Sequence, residues 1–453
     1  MIPTLIGFLL VRAFGSGPRG WCKHDFLRLI LGAGVGVGVC STCFFLGLLS
    51  GIEGLLLEAF LLLAAAIAVA VRWKRTKCLF CEGLTGTERD SALNIALAVS
   101  LGLLLALDAM AFLEAARQAP HGQWDALAIW NLRARFLYRS DVRYWRDGFT
   151  QLLDWSHPDY PLLLPAFIAR SWRLLGRESQ SVPIALGFFF SFGTAGLLVS
   201  SVSVLRGRRH GLLAGLCIAA TPALYVQGAS QYADVPVAFF VLATLACMTL
   251  ADRFDADGFA VLAGAAAALA GWTKNEGLAW FCAFLAARVI VGRARRLSAF
   301  LAGAVPFLAV ILLFKVEVAP PGDIFGVAGR VGMVERLLDA GRYALIFRKV
   351  IEHVWYFGPL LVSPFLILAG FLLATGVRPD DRDRIALRTA ALALFLAAVA
   401  YCLVYVLRPL DLAWLLKTGL DRLIVQLWPG IVFAVFLAVG PTGTEPQPGA
   451  AVL

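Results

Sequence analysis

Four short polar stretches interrupt a strongly apolar chain, and each carries residues able to do chemistry. The first is Gln123-Trp124-Asp125-Ala126-Leu127-Ala128-Ile129-Trp130-Asn131, followed by Arg133 and Arg135. The second is Ser156-His157-Pro158-Asp159-Tyr160-Pro161, the third Gln231-Tyr232-Ala233-Asp234-Val235-Pro236, and the fourth Trp272-Thr273-Lys274-Asn275-Glu276-Gly277. A looser group follows near the end: Arg408, Asp411, Lys417, Asp421 and Arg422, then Gln426 and Pro429. A carboxylate in apolar surroundings holds a proton more tightly than one in water and can act as a general base. Cations beside it can hold a phosphate.

Each stretch also has a purely structural reading. As a helix, the first sets Asp125, Ile129 and Leu132 on one side, which suits an amphipathic helix at the membrane surface with tryptophan anchors. The two prolines around Asp159 make a rigid turn in which that carboxylate can cap a helix. Asp234, two residues before Pro236, fits a helix N-terminus. Lys274 and Glu276 can neutralise one another. None of this explains an acid at the apolar start of the first helix, and ionisable groups at a membrane boundary are costly enough to mark a functional site.

The elements that must position these residues follow from composition. Of 453 residues, 60% are hydrophobic and 15% charged, against roughly 25% charged in a soluble domain. A mean hydropathy of +0.79 fits an all-α polytopic membrane protein and excludes a soluble or disordered chain. Runs long enough to cross the hydrocarbon layer predict twelve spans, at 27–50, 55–71, 91–113, 182–204, 211–227, 235–251, 257–273, 277–291, 297–316, 355–377, 389–407 and 423–440. The opening run before Arg12 is too short to cross and is expected to lie at the interface.

Orientation follows from the short loops. Arg72, Lys74, Arg75, Lys77 and Arg89, then Arg206, Arg208 and Arg209, Arg293, Arg295 and Arg296, and finally Arg378, Arg382, Arg384 and Arg388 fall on one side. The opposite short loops hold Lys274 alone. The positive-inside bias makes the first side cytoplasmic, with both termini inside. That requires residues 159–177, which contain Pro165 and end in three arginines, to pack at the outer surface without crossing. The outer face then holds three long segments, 114–181, 317–354 and 408–422, and all the polar stretches. Arg342 and the other cations of 317–354 run against the bias; a lipid phosphate or anionic headgroups would account for them. Cys78 and Cys81 form a lone Cys-x-x-Cys in a cytoplasmic loop with Cys22 on the same side, too little for a zinc site. No outer cysteine and no Asn-x-Ser/Thr sequon occurs, and the Ala, Gly and Arg bias suits a bacterial inner membrane.

The order of these motifs resembles the GT-C superfamily of integral membrane glycosyltransferases, over roughly residues 90–280 with Asp421-Arg422-Leu423 and Gln426 beyond. The acid of the first outer loop, the His157-Pro158-Asp159-Tyr160-Pro161 turn and the Asp234-Val235-Pro236 start of a later span carry the resemblance. It is similar to the branch of bacterial protein O-mannosyltransferases and lipid A aminoarabinose transferases. The resemblance implies a polyprenyl-phosphate-linked sugar as donor and a protein, lipid or glycan as acceptor, in contact with membrane lipids and without nucleic acid. It implies Asp125 as general base and an inverting displacement. Lys274, Arg342 or Arg422 would steady the leaving phosphate, with Trp124, His157, Asp159, Tyr160, Asp234 and Glu276 as further donor contacts. Family members often carry two adjacent acids in the first loop, whereas Ala126 follows Asp125 here. A Mg²⁺ or Mn²⁺ ion on Asp125, His157 and Asp159 is therefore open. On this reading residues 1–90 are an accessory two-span segment, 91–440 the transferase core and 441–453 a flexible tail. A transporter or flippase is the alternative, since twelve spans with both ends inside is a common carrier plan, although no internal repeat is evident.

The orientation is testable by fusion. A reporter enzyme active only outside the cytoplasm should be silent after Arg209 and active after Ser230; the reverse pattern would overturn the assignment.

Overall fold

The computed structural model describes residues 2–14, 25–73, 91–140, 144–292, 294–322, 330–357 and 362–440. Cys22, the Cys78–Cys81 pair, the basic residues 74–89, Arg293 and the tail 441–453 lie outside the described residues. Every regular element among the described ones is helical. Nine helices there are long and apolar enough to cross a membrane, and one bent pair brings the number to ten. The protein is a polytopic helical membrane protein; among the described residues up to ten spans meet that length, against the twelve predicted for the chain.

Four of the differences have clear physical causes. The segment 211–227 is two helices, α8 (Arg208–Ala219) and α9 (Pro222–Ala229), bent by 59° where Pro222 interrupts the hydrogen-bond ladder. The segment 355–377 is divided as well. An amphipathic helix, α15 (Ala340–Tyr356), ends there, and a 12-residue helix, α16 (Pro364–Thr375), starts afresh under a Ser363 cap. Residues 412–422, expected in an outer loop, form the first turns of α18 (Leu412–Ala438), with Asp411 accepting the Trp414 amide at 2.7 Å. Finally α1 (Ile2–Phe14), too short to cross as expected, keeps Ile2, Leu5 and Phe14 exposed but is not a detached surface helix. It packs lengthwise on α2 (Asp25–Ser50), so closely that a Cβ at Gly7 would run into the Gly32 carbonyl.

The core is built around α10 (Asp234–Phe254), which is buried from Asp234 through Ala251. Its sequence is apolar on every face, and its two inner threonines satisfy their hydroxyls on Phe240 O and Leu245 O one turn back. Around it stand α7 (Ser181–Arg206), α11 (Asp257–Thr273), α18 and α17 (Arg384–Leu407). Helix α2 is nearly as buried and packs on α6 (Leu163–Leu175), α7 and α11, so the N-terminal segment shares the core. At 13 residues, α6 is too short to cross, as expected for 159–177. It is nonetheless buried within the protein, not spread on its surface.

Helices α3 (Gly54–Trp73) and α4 (Ala92–Gln118) form the perimeter, with most of their apolar surface open to lipid. Apolar faces cannot tell such a helix which way to turn, because lipid is as apolar as the core. The lone acid does so: Glu58 of α3 points inward to Arg170 of α6, in an ion pair with 3% and 5% of the two side chains exposed.

The remaining charges gather at the two ends of the bundle. At one end Arg206 donates to Val439 O (2.9 Å), Leu437 O (2.6 Å) and Asp383 Oδ2 (2.5 Å), and Arg253 to Asp380 Oδ2 (2.6 Å). Arg288 pairs with Asp252 there at 2.7 Å. The other end holds the chemistry-bearing residues.

Removing one partner of the Glu58–Arg170 pair strands the other in an apolar site. Glu58→Ala or Arg170→Ala should each destabilise the protein by about 3–5 kcal/mol, and replacing both by leucine and methionine should recover most of that. Thermal unfolding in detergent reads this; single and double variants of equal stability would contradict it.

Candidate functional site

Asp125 stands at the head of a helix that continues to Arg139, just before a π turn at Ala126–Trp130 in which Asn131 N–H reaches back to Ala126 O. Two sets of bonds fix this segment. Asn131 Nδ2 donates to Gln231 Oε1 (2.7 Å) and His121 O (3.1 Å), while Gln231 Nε2 donates to Pro120 O (3.1 Å). These join the helix carrying Asp125 to the turn that leads into Asp234. Arg133, almost fully buried, donates to Gly148 O and to Ser156 Oγ (2.5 Å), holding the turns that end in His157.

His157 sits at φ +46°, a left-handed conformation strained for a residue with a Cβ, and its ring stacks on Tyr160 at 4.8 Å. Tyr160 stacks in turn on Trp130 at 5.7 Å. The turn is thus fixed by ring packing as well as by its prolines.

Asp234 has no exposed surface and lies in the first turn of α10, where the helix dipole favours an anion. Arg422 of α18 donates to its Oδ2 from Nε at 3.0 Å, with Nη2 at 2.9 Å. Lys274 Nζ donates to Oδ1 at 2.9 Å and Gln426 Nε2 at 2.6 Å. The lysine comes from the break between α11 and α12 (Asn275–Gly292), where Gly277 approaches the Ala270 carbonyl too closely for any Cβ. Lys274 is also 3.1 Å from Glu276 Oε1. Burial alone would pull the Lys274 ammonium below its usual range, but Asp234 and then Glu276 outweigh it and hold it above. Arg422 extends past Asp234 to bond Asp125 through Nη2, its guanidinium 4.6 Å above the Tyr232 ring.

Over this network opens a cleft of about 670 Å³. Lys274, Glu276 and Arg422 give it a charged floor, Asp125 a carboxylate at its rim, and Arg408 a cation at its side. Tyr160, Tyr232, Tyr401 and Tyr405 line it, together with three largely exposed tryptophans, Trp124, Trp155 and Trp414. Ile129, Val404, Leu415 and Leu423 supply an apolar wall.

Of the residues singled out in the sequence, Trp124, Asp125, His157, Tyr160, Lys274, Glu276 and Arg422 line the cleft. Asp234 lies beneath it. Asp159 does not line it and does not cap α6, which begins at Leu163; its Oδ2 accepts from Asn275 Nδ2 at 2.8 Å, and Lys315 donates to its backbone oxygen at 2.5 Å. Arg342 does not line it either, donating instead to Tyr405 O and Arg408 O at 3.0 Å each and so bracing the turn between α17 and α18. Of the three suggested metal ligands, Asp125 and His157 line the cleft and Asp159 does not. Among the described residues no group of three or more His, Cys, Asp or Glu side chains is placed to hold an ion.

Trp155, Tyr401, Tyr405 and Trp414 were not singled out in the sequence. Tyr401 and Tyr405, four residues apart in an apolar span, were the signal for a helix face turned to something polar. Comparison of the chain with protein-family models, curated proteins and solved structures gave no match.

The network ranks its own members. Asp234→Ala leaves Lys274 and Arg422 with a shared deficit in a buried site and should destabilise by about 3–5 kcal/mol, whereas Asp125→Ala, at the partly open rim, should cost about 1 kcal/mol or less. Thermal unfolding of the two variants in the same detergent checks the order.

Proposed function

We propose that the protein is a membrane glycosyltransferase that moves a sugar from a polyprenyl-phosphate-linked donor to an acceptor hydroxyl. The observation that carries the reading is the cleft itself. A carboxylate at its rim, two cations in its floor, exposed tryptophans around it and an apolar wall are the groups that a sugar linked through phosphate to a lipid requires. Tryptophan faces suit pyranose rings, arginine and lysine suit the phosphate, and leucine and valine suit the first isoprene units.

In this mechanism Asp125 takes the proton of the acceptor hydroxyl as its oxygen attacks the anomeric carbon. The bond from that carbon to the phosphate oxygen breaks, and its electron pair leaves with the polyprenyl phosphate. Arg422 and Lys274 stabilise the charge that develops there. One displacement inverts the anomeric centre. No proton is needed by the leaving group. The site faces the outer side of what we take to be a bacterial inner membrane, and the acceptor is a protein, lipid or glycan reaching it from there.

A carrier is the second reading, favoured by the 59° bend between α8 and α9 within the bundle, since broken spans are common in transporters. The ionisable residues of the cleft gather at one end of the bundle, not around that bend, and this favours the transferase.

Asp125→Asn separates the two. The transferase should lose about a hundredfold or more in turnover and still bind donor lipid, while a carrier should be nearly indifferent. Glycan profiling of a deletion strain should reveal a missing sugar; an unchanged profile together with altered solute uptake would favour the carrier.

A further inference from the structure

Arg422 holds two carboxylates on unequal terms. Its contact with Asp234 uses both Nε and Nη2, and that carboxylate is buried and held from the other side by Lys274 and Gln426. Its contact with Asp125 uses Nη2 alone. Arg422 is the one cation bonded to the Asp125 carboxylate among the described residues, and it lies at the open side of the network, with 13% of the Asp125 side chain and 19% of Arg422 exposed to the cleft. The Tyr232 ring beneath the guanidinium limits where it can move. Arg422 therefore has a fixed anchor and an exchangeable partner.

An anion entering the cleft competes for that exchangeable edge. Nη2 already faces two carboxylates, Asp125 and, at 2.9 Å, Asp234, so a third anion arriving there must displace one of them, and Asp234 has nowhere to go. We propose that Arg422 changes hands when the donor binds, leaving Asp125 for the donor phosphate, so that the carboxylate is freed to accept a proton only once the donor is seated. The inference rests on the transferase reading and adds an order to it. Before the donor arrives, Asp125 is neutralised by an arginine and poorly placed to take a proton from an acceptor. Afterwards it is an unpaired carboxylate next to the acceptor hydroxyl, while the same arginine holds the leaving group. Donor binding and activation of the base become one event.

The handover makes a prediction opposite in sign to that of a supporting role. If Asp125 competes with the phosphate, removing its charge should tighten binding of an anionic lipid, because the site no longer gives up a contact first. If Asp125 merely props Arg422 in position, its removal should weaken binding. The measurement is the dissociation constant of undecaprenyl phosphate for the full chain in nanodiscs of zwitterionic lipid. Asp125→Asn and Asp125→Ala should each bind about fivefold more tightly than the wild type, and Arg422→Gln about tenfold or more weakly. In the double variant Asp125→Asn with Arg422→Gln, the gain from Asp125→Asn should vanish, since the competition runs through the arginine. Thermal unfolding of each variant identifies any that do not fold, and two substitutions at Asp125 keep the sign readable if one fails. Unchanged or weaker binding by folded Asp125 variants overturns the handover and leaves the transferase reading intact. Failure of the wild type to bind the lipid phosphate removes the donor reading and the handover with it.

Discussion

A carboxylate with no contact with water, at the head of the helix buried most completely in the molecule, sets the terms for everything around it. Asp234 carries a charge that the interior cannot solvate, and the α10 dipole offsets only part of it. The balance is supplied by a lysine from the α11–α12 break, an arginine from α18 and an amide one turn further along that helix. Three segments far apart in sequence are therefore required to meet at one point. Two of the three charged side chains in the cleft floor, Lys274 and Arg422, are there because they serve Asp234 first. The cleft is the partly open edge of an electrostatic problem solved inside the protein.

The sequence makes the long apolar spans readable because lipid thickness imposes a length on them. The helix at 257–273 has the bounds that the apolar run predicts. The predictions fail where charge interrupts that run without ending the helix. Residues 408–422 look like a loop because they carry five charges, yet Leu412, Leu415, Leu416 and Leu420 recur at helical spacing and are all buried. The helical period was the better guide, and weighting polarity over period concealed three turns of α18. At 355–377 the reverse happened: continuous apolarity hid a proline start preceded by a serine cap.

Within the site, the ionisable residues were conspicuous because almost nothing around them is polar. Their partners were not. Arg422 meets Asp234 across 188 residues and Asp125 across 297, and no local pattern encodes either contact. The same holds for Asp159, whose apparent role as a cap dissolved once Asn275 and Lys315 reached it from other helices. Aromatic residues were missed for another reason. In a membrane protein a tryptophan near the boundary is ordinary, so Trp155 and Trp414 carry no signal until the cleft beside them is seen.

The π turn after Asp125 bears on how this chain can vary over generations. A π turn is an α-helix holding one residue more than its ladder needs, and each residue of an α-helix advances the chain by about 100°. A lineage that lost one residue between Ala126 and Ile129 would keep a continuous, well-bonded helix with Trp130 still against Tyr160. The carboxylate would emerge about a quarter turn away from Arg422. Length variation in this short stretch is thus the simplest route by which such a scaffold could persist while shedding the group at the rim of its cleft.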